Sequence, residues 1–67
     1  MDKISFFVND GRTEITVERT CINRVTLSNR SLHAKPILVT NTELTLAEAA
    51  SIGNALVFMA TKKVEEW

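Results

Sequence analysis

The chain has 67 residues, 45% hydrophobic and 24% charged, with eight basic and eight acidic side chains and a formal net charge of zero. This length holds a single domain, residues 1 to 67, and the composition excludes a disordered chain. Charge balance argues against a typical nucleic-acid binder, which is basic overall; one Cys and one His exclude an internal disulfide and a four-ligand zinc site within one chain.

Residues 3 to 8, KISFFV, alternate, with Ile4, Phe6 and Val8 on one side and Lys3, Ser5 and Phe7 on the other. Asn9-Asp10-Gly11-Arg12 follows, and Asp-Gly is the signature of a type I′ turn, which needs positive φ at both central positions. Centring the turn on Asp10 and Gly11 pairs Val8 with Thr13, Phe6 with Ile15, Ile4 with Val17 and Lys3 with Glu18. The large apolar partners then share one face, and the outermost pair matches opposite charges. A slip of one residue would mix the faces.

From Thr13 to Leu27 the odd positions stay mostly apolar (Ile15, Val17, Cys21, Val25, Leu27), interrupted by Arg19 and Asn23. This predicts two strands with a reversal near residues 19 to 23, or one sharply bulged strand. Residues 28 to 35, SNRSLHAK, read as a loop. Pro36 opens a short strand, PILVT, as suits the first residue of an edge strand.

Thr45-Leu46-Ala47-Glu48 has the pattern of a capping box, predicting a helix from Leu46 to about Glu65. At 100° per residue, Leu46, Ala49, Ala50, Gly53, Leu56, Val57, Ala60, Val64 and Trp67 share one face. The expected fold is therefore α+β, a small antiparallel sheet of three or four strands followed by one C-terminal helix packed across it. Ile52, Ala55 and Met59 widen the apolar arc beyond what one small sheet covers, and Phe58 lies opposite, among Ala47, Ser51, Asn54 and Lys62.

Catalytic chemistry finds little support. Nothing in the spacing of Cys21 and His33 makes them a thiol–imidazole pair; Cys21 shares the apolar parity of a core residue, and His33 reads as surface. The carboxylates have turn, surface or capping roles, and two glycines make no phosphate loop. No enzyme, cofactor or metal site is expected. Arg19, Arg24, Arg30, His33 and Lys35 form a candidate anion or nucleic-acid contact, though no aromatic residue lies among them to stack on bases.

The stronger signal is surplus apolar surface. Phe7, Ile52, Ala55, Phe58 and Met59, with Trp67, are candidates for self-association or partner binding. A chain this short buries only about 60% of its unfolded surface, and without disulfide or metal the remaining staple is oligomerisation. The expected function is that of a non-catalytic homo-oligomer, a homodimer, that binds and modulates another macromolecule, a protein before all. Size and motif content are those of many accessory proteins of phages and mobile elements. The alternatives are a nucleic-acid-binding regulator using the basic residues of 19 to 35, and a binder of a small anionic ligand between subunits. No apolar run reaches the ~20 residues of a membrane span. No signal peptide precedes the first strand, and a lone thiol suits the reducing cytoplasm.

Overall fold

Positive φ at Asp10 (56°) and Gly11 (80°) closes the first hairpin, and the Arg12 amide donates to the Asn9 carbonyl at 3.1 Å, as a type I′ turn requires. Asn9 also takes a positive φ, 54°, which Asn tolerates better than most residues. The structure, a computed structural model, describes residues 2–63 and 65. Four strands, β1 (Lys3–Val8), β2 (Thr13–Cys21), β3 (Arg24–Ser31) and β4 (Leu38–Thr45), form one antiparallel sheet in the order β1-β2-β3-β4. Helix α1 (Leu46–Thr61) follows directly, giving the α+β architecture expected from the sequence. The β1–β2 register is the one the turn implies, from Lys3 opposite Glu18 to Val8 opposite Thr13.

Between residues 13 and 27 the chain makes two strands, reversing at Ile22-Asn23. A register shift between Arg19 and Cys21 marks a bulge at Thr20. Arg19 pairs with Val25, whereas Cys21 pairs with Arg24, the neighbour of Val25 on the opposite face. The inserted residue reverses the parity. Cys21 is therefore an exposed thiol, not the core residue its odd number implied; its Sγ donates to Asn23 Oδ1 at 3.1 Å.

The expected loop over 28 to 35 begins later than the sequence implies. Ser28, Asn29, Arg30 and Ser31 stay in β3, hydrogen-bonded between β2 and β4. Their polar character is accommodated across the strands: Ser28 Oγ donates to Asn41 Oδ1 at 2.7 Å, and Arg30 lies 3.7 Å from the Glu14 carboxylate. The expected strand from Pro36 starts at Leu38 and runs on to Thr45.

The capping box forms as predicted, the Glu48 amide donating to Thr45 Oγ1 at 3.1 Å and the Thr45 amide to Glu48 Oε1 at 2.9 Å. Hydrogen bonds to its carboxylate, first from the Thr45 backbone amide and then from the Thr45 side chain, hold the Glu48 carboxyl below its usual range, with a smaller contribution from Arg24. The helix ends at Thr61, before the expected Glu65, because Lys62 is extended (φ −66°, ψ 130°). Val64 and Trp67, expected on its packed face, lie outside the described residues. Among the described residues, no helix is long and apolar enough to cross a membrane.

Register assigns the two faces of the sheet. Ile4, Phe6 and Val8 share the inner face with Ile15, Val17, Val25, Leu27 and Leu44, on the side of α1. The outer face carries rows of polar side chains, such as Ser5-Thr16-Ser28-Asn41, with the Ser5 and Thr16 hydroxyls 3.1 Å apart.

Candidate interaction surface

Helix α1 packs on β3 and β4 and reaches neither β1 nor β2 with its backbone. An apolar cavity of about 180 Å³ separates it from the sheet. Val17, Val25, Leu27 and Leu44 line it from below, and Ala49, Ile52, Gly53 and Leu56 from the helix. The helix packs on the sheet as expected, but over its β3–β4 half. Inner-face side chains of β1 stay in solvent, with Ile4 57% and Phe6 52% exposed.

The outcome is a fold without a fully covered core among the described residues. No described residue is buried, and the best-covered apolar side chains, such as Val17, Val25 and Leu27, are only half-buried. The chain exposes 5608 Å², where a compact monomer of its mass exposes about 4,250 Å². Its radius of gyration is 14.1 Å, against about 11 Å for a compact domain of this length.

Leu56, Val57, Phe58 and Met59 are each 63% to 66% exposed. Four consecutive helical residues stand 100° apart, so together they point to every side of α1. A helix apolar all round is normally buried on all sides. Of the self-association candidates, Phe58, Met59 and Ala55 lie on exposed helix surface, whereas Ile52 turns toward the cavity beneath α1. Phe7 stands apart from them on the outer face of the sheet, in one row with Glu14, Arg30 and Val39. The sequence does not mark the inner-face residues Ile4 and Phe6 as interaction residues, because alternation reads the same whether or not a helix arrives to cover it.

The chain matches no protein-family model, no curated protein and no solved structure.

The basic residues do not converge. Arg19 and Arg24 sit at the β2–β3 turn, where the Arg19 guanidinium donates to the Cys21 and Ile22 carbonyls and Arg24 to the Asn23 carbonyl. Arg30, His33 and Lys35 lie toward the other end of β3 and in the loop after it, with Arg30 next to Glu14. From Arg24 to Arg30 the strand rises about 20 Å. The same separation keeps Cys21 far from His33. His33 borders an open polar recess of about 660 Å³ with Asp10, Arg12 and Ser31.

Proposed function

We propose that the protein is a non-catalytic homo-oligomer whose second copy supplies its missing interior, and that the assembled form binds and modulates another macromolecule, a protein. The observation that carries this reading is the absence of any buried side chain among the described residues. Ordering each residue costs about 1–2 kcal/mol of chain entropy, and burial of apolar surface is the main term that offsets it. A chain whose described residues are at best half-buried as a monomer gains more of that term by association.

Phe58 and Met59 serve self-association, while Phe7, at the opposite end of its row from Val39, remains on the outer face for a foreign protein. The exposed free thiol of Cys21 suits a reducing cytoplasmic setting. Dispersal of the basic residues between the β2–β3 turn and the far end of β3 with its following loop supports the protein-binding reading over a nucleic-acid one, for which charges should concentrate along a backbone path.

Sedimentation equilibrium tests the reading. The wild-type chain is expected as a dimer or larger at micromolar concentration, and Phe58→Ser with Met59→Ser should move it toward monomer and lower its stability in a concentration-dependent way. A wild-type chain still folded and monomeric at ~100 μM, far above a micromolar dissociation constant, overturns it.

A further inference from the structure

We infer that two copies assemble with their inner faces toward each other, each α1 lying between its own sheet and the β1–β2 half of its partner's sheet. The inference rests on the self-association reading and adds which surfaces meet.

The width of the sheet sets the requirement. Strands lie about 4.8 Å apart and helices pack 8–10 Å apart, so four strands need two helices side by side. Each chain has one, and places it over β3 and β4. The vacant half of the inner face carries Ile4, Phe6 and Ile15. In a two-fold pair the partner's helix fills that half, and the exchange is reciprocal.

The helix carries the matching pattern. Its sheet-facing side is set by Ala49, Ile52, Gly53 and Leu56. At 100° per residue, Phe58 falls nearly opposite the middle of that set, and Val57 and Met59 fall on the two flanks. A helix lying in one layer between two sheets needs an apolar residue toward its own sheet, another toward the partner's sheet, and a third toward the partner's helix. Leu56, Phe58 and one of the flanking pair meet those three demands. Ala47, Ser51 and Ala55, on the same side as Phe58, are small enough for the second sheet to come close, and the Asn54 side chain of that face must find a hydrogen-bond partner across it.

The area agrees. Each copy exposes about 1,350 Å² more than a compact monomer would, hence about 2,700 Å² for a pair. Obligate homodimer interfaces bury 2,000–5,000 Å² or more.

The test uses the wild-type chain, half of it carbon-13 labelled and half unlabelled, co-refolded and recorded with isotope-filtered nuclear Overhauser spectroscopy. Contacts between chains are expected from the Phe58 ring to the Ile4 and Ile15 methyl groups. A second measurement, in a Cys21→Ser background, mixes Phe58→Cys chains with Phe6→Cys or Phe7→Cys chains and adds a short bismaleimide. The mixed link should form with Phe6→Cys and be lost with Phe7→Cys, which differs only in facing outward. A chain that sediments as a dimer but shows intermolecular contacts only between helices, or only around Phe7, overturns this arrangement and leaves self-association standing. A folded monomer overturns both.

Discussion

Phe6 and Phe7 are adjacent in β1, point to opposite faces and are 52% and 64% exposed. Judged by the isolated chain, Phe6→Ala and Phe7→Ala should cost similar small amounts, since most of each ring already meets water. The inner-face dimer separates them. A Phe side chain offers about 200 Å², so the exposed half of Phe6 is about 100 Å², worth about 2.5 kcal/mol when covered. A two-fold contact counts it twice, about 5 kcal/mol in all, equivalent to between 10³- and 10⁴-fold in the dissociation constant. That figure is an upper bound, because Ala keeps the Cβ and the surrounding interface closes in part around the smaller side chain. Phe7→Ala should leave the dissociation constant within a few-fold of wild type. Sedimentation equilibrium across a concentration series reads both, and at matched protein concentration the urea midpoint should fall below wild type for Phe6→Ala alone. Equal effects from the two substitutions, or a larger one from Phe7→Ala, would refute the placement of the interface on the inner face.

Three further outcomes follow from local geometry. Gly11→Val should destabilise the fold by more than about 1 kcal/mol; the added Cβ meets nothing within 4 Å, so the cost is that of a β-branched residue at φ 80°, and an unchanged urea midpoint would contradict it. Thr45→Ala should cost about 0.5–2 kcal/mol through loss of the cap, whereas Thr42→Ala, at an exposed mid-strand position, should cost less by the same denaturation assay. Because the folded state holds the Glu48 carboxyl below its ordinary range, its contribution is complete above about pH 5 and falls away as pH drops through the folded value. Helical circular dichroism should accordingly fall less on acidification in Glu48→Gln, which keeps a capping side chain without the titration, than in wild type.

The elements legible in the sequence are those specified within a few residues. Asp10-Gly11 supplies the positive φ of the turn, and the turn sets the register from Val8–Thr13 out to Lys3–Glu18. Thr45 and Glu48 satisfy each other's backbone amides without help from the rest of the chain, so the helix start was readable as well. The surplus of Phe58 and Met59 was visible because helical periodicity places them off the packed arc. Tertiary structure decided what depends on partners distant in sequence. Ser28 to Ser31 belong to β3 because β2 and β4 bond to both edges of that segment, a requirement to which its side chains are nearly silent. The bulge at Thr20 turned Cys21 outward, since one inserted residue reverses a two-residue period. The position of α1 over β3 and β4, which leaves Ile4 and Phe6 in solvent, is likewise a matter of where the chain enters the helix from β4. An apolar stripe states that a surface needs covering; only the fold decides how far one helix reaches across a four-stranded sheet.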